Sequence, residues 1–131
     1  MSGSIALSIV VATVAAFVLS FVWYMLFGGR LAALSPAYAA AGAGPSGPVV
    51  ALELLRSLVV AAVLAVLAAG VGADTWLEGA GLGLLTWAGF PLVLFAGSVL
   101  HERYPRALAA IHLGDWLLKL LCVAAVVAAW R

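Results

Sequence analysis

IALSIVVATVAAFVLSFVWYMLF, residues 5–27, runs without an Asp, Glu, Lys, Arg or His. At about 1.5 Å rise per residue a helix of that length covers roughly 35 Å, enough to cross the ~30 Å hydrocarbon core of a bilayer. Gly28-Gly29-Arg30 follows, a glycine C-terminus and then a charge, so the helix is expected to end there. The opening Met1-Ser2-Gly3-Ser4 lacks a basic n-region and the apolar run exceeds a short h-region. The segment therefore reads as a retained helix rather than a cleaved secretory leader.

Working outward, three further runs have the same character. One begins at Pro48, after the turn signal Gly44-Pro45-Ser46-Gly47, and reaches Gly70 or Gly72. Another starts behind Asp74, where Thr75 and Glu78 have the spacing of a capping box, and continues to about Leu100. Glu78 is on this reading a cap and not a catalytic acid. The fourth starts near Pro105 and closes at Trp130-Arg131. The expected helices are thus 5–27, 48–71, 76–100 and 106–130, with a short interfacial helix at 36–41 behind Ser35-Pro36 and a flexible Gly/Pro-rich connector from Gly42 to Gly47.

Composition agrees with this count. Of 131 residues, 67% are hydrophobic and 8% charged, too few polar groups to cover a water-soluble body of this size. The fold class is an all-α polytopic membrane protein, one domain of four transmembrane helices packed as a bundle, with no internal repeat between the two helix pairs. Small residues at four-residue spacing (Ala12/Ala16, Ala61/Ala65/Ala69, Gly79/Gly83, Ala124/Ala128) suit close helix packing. Pro91 is expected to kink the third helix, with Thr86 helping to satisfy the freed backbone.

Several functions are set aside. A net charge of +1 without a basic run gives nucleic acid nothing to bind. Cys122 is the only cysteine, so neither an internal disulfide nor a cysteine zinc site can form. His101, Glu102, His112 and Asp115 match no metal-ligand spacing, and Lys119 would oppose a cation. There is no Gly-x-Ser-x-Gly, no cysteine with a base and no phosphate loop, Gly79-Ala80-Gly81-Leu82-Gly83 lacking both a strand and a lysine. No catalytic residue, metal or cofactor is expected, and the protein is not expected to be an enzyme.

The anomaly is the fourth helix. A charge at the centre of a spanning helix costs about 2.5–3.5 kcal/mol, while each Leu, Ile or Val returns about 0.3–0.6 kcal/mol. Asp115 and Lys119 stand four apart with the acid first, the order that favours pairing. At 100° per residue His112, Asp115, Lys119 and Cys122 share one stripe; Glu53, Arg56 and Ser57 share another on the second helix. Counted from the same ends, Glu53 lies near the level of His112 and Arg56 near that of Asp115, so cross-helix pairs are feasible. One intramembrane polar cluster is expected from Glu53, Arg56, His112, Asp115 and Lys119, with Ser20, Trp23, Tyr24, Ser98 and His101 as its lining. It can be a satisfied network that fixes register or holds a partner, or a relay for protons or a small ion or solute.

Short segments along nearly the whole chain resemble a known family. Phe21-Val22-Trp23-Tyr24-Met25-Leu26-Phe27-Gly28, Leu84-Leu85-Thr86-Trp87-Ala88-Gly89-Phe90, and Glu102-Arg103 leading to His112-Leu113-Gly114-Asp115-Trp116 and Trp130-Arg131 are similar to the domain-of-unknown-function family 1761, small four-helix bacterial membrane proteins. The chain departs from that pattern in its more charged final helix. The resemblance implies the architecture and no substrate, cofactor or catalytic residue.

Orientation follows from the arginines. Arg30 lies in the first loop, Arg103 and Arg106 in the third, whereas the second offers only Asp74 and Glu78. Positive loops stay inside, so both termini are expected on the outer side of the membrane, with Arg131 the one opposing charge. Trp23 and Tyr24 are expected at the inner interface, Trp76 and Trp130 at the outer one. The basic residues are mostly arginine and the small residues mostly alanine and glycine, which fits a GC-rich bacterial genome and hence a bacterial cell (inner) membrane. The expected role is a non-enzymatic, self-associating or accessory subunit, its partner a second copy or another membrane protein. The alternative is a small ion, proton or solute transporter.

Overall fold

In the computed structural model, which describes residues 2–40 and 46–131, every regular element is a helix. These are α1 (Ser2–Leu26), α2 (Gly28–Leu34), α3 (Pro36–Ala40), α4 (Gly47–Val71), α5 (Trp76–Gly89), α6 (Pro91–Glu102) and α7 (Arg106–Ala129). Four stretches are long and apolar enough to cross a membrane: Ile5–Leu26, Gly47–Val71, Trp76–Glu102 and Arg106–Ala129. The architecture is an all-α membrane bundle. Ala41 and most of the expected connector, Gly42 to Pro45, lie outside the described residues.

The boundaries have local causes. Gly72 closes α4 in the left-handed conformation, φ 73°, and the amide of Ala73 reaches back to Ala68 O at 2.9 Å, a glycine cap that a side chain would strain. Thr75 Oγ1 accepts from the Glu78 amide at 3.1 Å and donates to Glu78 Oε1 at 2.9 Å, so the box opens α5. Pro91 does more than kink the third span. It has no N–H for the Trp87 carbonyl, and the helix stops at Gly89 and restarts at Pro91 across Phe90. Thr86 Oγ1 donates to Leu82 O and Gly83 O, one turn earlier, and so leaves the carbonyl freed by Pro91 untouched.

Gly28-Gly29 does not end helical structure as expected. Gly72 is the one described glycine at positive φ, and after a single non-helical residue, Phe27, the chain resumes as α2, anchored by the buried Leu31. A second departure is Arg103, which closes α6 at φ 55°, in the left-handed region that costs a side-chain-bearing residue about 1–2 kcal/mol. That turn directs Tyr104 back over the bundle.

α7 is the hub. It packs against α1, α4, α5 and α6, whereas α1 and α5 do not touch. Where α5 meets it, Gly79 lies on the backbone of Ala124 and Gly83 on that of Leu120, so closely that an added Cβ would collide with the carbonyls. Around α7 the apolar interior falls into two parts. Ala12, Ala16, Ala61, Leu64, Ala68, Leu120, Val123, Ala124, Val127 and Ala128 fill the half toward the C-terminus of α7. On α4 the buried seam is Ala61, Leu64 and Ala68; Ala69 faces outward. Leu31, Leu108 and Ile111 form a smaller core at the other end. The polar residues lie between the two.

Candidate functional site

The intervening layer is built on one face of α7. His112, Asp115 and Lys119 sit roughly 9, 13 and 20 Å along the helix from Arg106, taking about 1.5 Å per residue. Asp115 is 3% exposed and Lys119 7%. Lys119 Nζ meets Asp115 Oδ2 at 3.2 Å and lies over the Trp116 ring, 4.1 Å from its centroid. The other carboxylate oxygen, Oδ1, accepts from Ser20 Oγ on α1 at 2.6 Å. Both oxygens are thus engaged, and the ammonium is compensated by a carboxylate and an aromatic face.

One turn nearer the arginine end, Tyr24 OH and His112 Nδ1 share a 2.6 Å hydrogen bond. The imidazole is ringed by Tyr24, Tyr38, Phe95 and Tyr104, with centroids 5.6–6.4 Å away and Phe95 stacked at 20°. Each wall has its own origin: Tyr24 from α1, Tyr38 from α3, Phe95 from the helix that restarts at Pro91, Tyr104 from the left-handed turn at Arg103. Outside the spans, partial burial raises the phenol pKa of Tyr38 and Tyr104, and neighbouring Tyr104 and Glu53 raise that of Tyr38 further.

Two indoles hold α7 from opposite sides. Trp23 Nε1 donates to Ile111 O at 2.8 Å and Trp87 Nε1 to Leu113 O at 2.9 Å. Trp23 can approach because position 114 is glycine, where a Cβ would overlap its ring. Trp23 and Tyr24 therefore point into the bundle, not into an interfacial belt. Trp76 and Trp130 are exposed near the opposite end. The indole bonds to carbonyls had no sequence signal beyond the presence of tryptophan in a span.

The expected cluster divides into two sets. Glu53 and Arg56 pair with each other, Arg56 Nη1 to Glu53 Oε1 at 2.6 Å, with side chains 41% and 57% exposed. They make no hydrogen bond to His112, Asp115 or Lys119. Ser57, Ala61, Leu64 and Ala68 set the inner face of α4, which turns Arg56 outward. Of the expected lining, Ser20, Trp23 and Tyr24 join the site. Ser98 Oγ donates to Leu94 O of its own helix, and His101 is exposed. At the far end Arg131 Nη1 contacts Ala68 O, Ala73 O and Asp74 Oδ1 at 3.2, 2.9 and 2.9 Å. The arginine that opposed the charge bias is thereby neutralised by Asp74.

Chemically, the layer offers a tyrosine–histidine hydrogen bond toward the arginine end of the bundle and a fixed ion pair further along α7. Beyond Lys119 the path meets the alanine and valine core. Among the described residues no three His, Cys, Asp or Glu side chains converge on a point. A family model described as a protein of unknown function, DUF1761, matches residues 7–128 of the chain. No curated protein and no solved structure matches it.

Proposed function

The chain belongs to the DUF1761 family, whose description assigns no function, and from its own residues we propose a non-enzymatic protein that associates with a second copy or a larger membrane complex. We place it in a bacterial inner membrane, and both termini outside on the strength of Arg30, Arg103 and Arg106, which lie in the two connections between spans at one end of the bundle. The observation that carries the associating role is the Glu53–Arg56 pair. It stands about 41–57% exposed on a spanning helix, where lipid is a poor host for charge and another protein a better one. Around it α4 exposes Leu52, Leu55, Val59, Val63 and Val66. In a two-fold contact Glu53 of each copy can meet Arg56 of the other.

The test is native mass in mild detergent. The wild-type particle should exceed the 13.4 kDa monomer, and Glu53→Gln with Arg56→Gln should weaken association on the order of tenfold. A monomeric wild type without partners removes the reading.

A relay is the second reading, favoured by the Tyr24–His112 bond beside the buried Asp115–Lys119 pair. It requires that the native protein hasten pH-gradient decay in proteoliposomes and that His112→Ala abolish the effect. The closed core beyond Lys119 supports the associating role instead.

A further inference from the structure

Of the six basic residues, three are paired: Arg56 with Glu53, Lys119 with Asp115 and Arg131 with Asp74. Arg30, Arg103 and Arg106 have no carboxylate within ion-pair distance among the described residues, and they share the end of the bundle at which α7 begins. Beside Arg30 the surface opens into a groove of about 400 Å³ between the α1–α2 junction and α7, lined by Phe27, Arg30, Ala107, Ala110 and Ile111. Its floor is apolar, from Phe27, Ala107, Ala110 and Ile111, and alanine at 107 and 110 leaves room that a larger side chain would fill. Its one charged lining residue is Arg30. The groove therefore has a cation one turn beyond the end of the first span and an apolar trough beside it on α7.

We propose that this groove binds an anionic phospholipid, its phosphate on the Arg30 guanidinium and an acyl chain against Phe27, Ala110 and Ile111. Charge complementarity selects the occupant. Guanidinium pairs with phosphate through parallel N–H donors, unpaired arginines at one membrane face attract anionic lipid, and the apolar trough has no use for a free anion. The site is distinct from the proposed association face, which lies on α4.

The experiment is native mass spectrometry of the full chain from micelles holding equal phosphatidylglycerol and phosphatidylcholine. Wild type should retain one phosphatidylglycerol in preference to phosphatidylcholine. Arg30→Gln should cut that preference about fivefold, the effect of one basic residue at an anionic surface. Arg103→Gln, the same charge loss at the same end outside the groove, should cut it less. Ala110→Trp fills the trough at an exposed position while keeping all charges, and should lose the bound lipid. Millimolar inorganic phosphate should leave it in place. Equal retention of the two lipids, equal effects of Arg30→Gln and Arg103→Gln, unchanged binding in Ala110→Trp, or displacement by phosphate would each overturn the assignment.

Discussion

Asp115 and Lys119 are stable at mid-depth only as a pair. Removing one leaves the other buried and uncompensated, which costs about 3–5 kcal/mol. Asp115→Asn and Lys119→Met should each lower resistance to unfolding in sodium dodecyl sulfate mixed micelles by that order, and the double variant should lose less than their sum. Ser20→Ala, which takes a donor from Asp115 Oδ1, should cost about 1–3 kcal/mol in the same assay. Tyr38 and Tyr104 carry a pH dependence of definite sign. Their folded pKa values lie above the ordinary one, so their contribution is whole below about pH 10, the unfolded value, and is lost as pH rises beyond it. Alkaline unfolding of Tyr38→Phe/Tyr104→Phe should be less steep than that of wild type.

Among elements, the seam between α5 and α7 is the most sensitive. A methyl at Gly79 or Gly83 meets backbone carbonyls that cannot swing aside. Gly79→Ala or Gly83→Ala should therefore part the helices and cost about 1–3 kcal/mol. Gly81→Ala, on the same helix with nothing within 4 Å, should be neutral or stabilising by about 0.4–1 kcal/mol. The unfolding assay separates them. That glycine seam was legible from spacing, as were the capping box and the glycine end of α4, because each depends on neighbours within one turn. The α2 helix was not. Two glycines read as a stop, yet Leu31 finds a core with Leu108 and Ile111, far away in sequence. Arg56 was misread for a related reason. Stripe and depth place it beside Asp115, but the rotation of α4 is fixed by which of its small residues α1 and α7 accept.

At the scale of the whole molecule the spans and their number follow from apolar runs, charge breaks and the turn and cap residues between them, while their arrangement does not. Hydropathy ranks the first span highest, at 2.7 against 1.8 for the fourth, yet the fourth lies at the centre and is the most buried. Its charges are the reason. A helix carrying Asp115 and Lys119 is better placed among other helices than against lipid. The proposed orientation has its own check: a reporter active only outside the cytoplasm, fused after Arg131, should be active, and replacing Arg30, Arg103 and Arg106 together by glutamine should mix the two insertions.

The central place of α7 also bears on biogenesis. Of the four spans it emerges last during synthesis, its mean hydropathy of 1.8 is below the 2.7 and 2.4 of the first two, and it is the main partner of α5. α1 and α4 pack on each other directly and can pair before it emerges, whereas α5 lacks its main partner until then. Quality control by membrane proteases then has a natural checkpoint: chains stalled before Arg106 should be short-lived, and supplying Arg106–Arg131 as a separate peptide should rescue them.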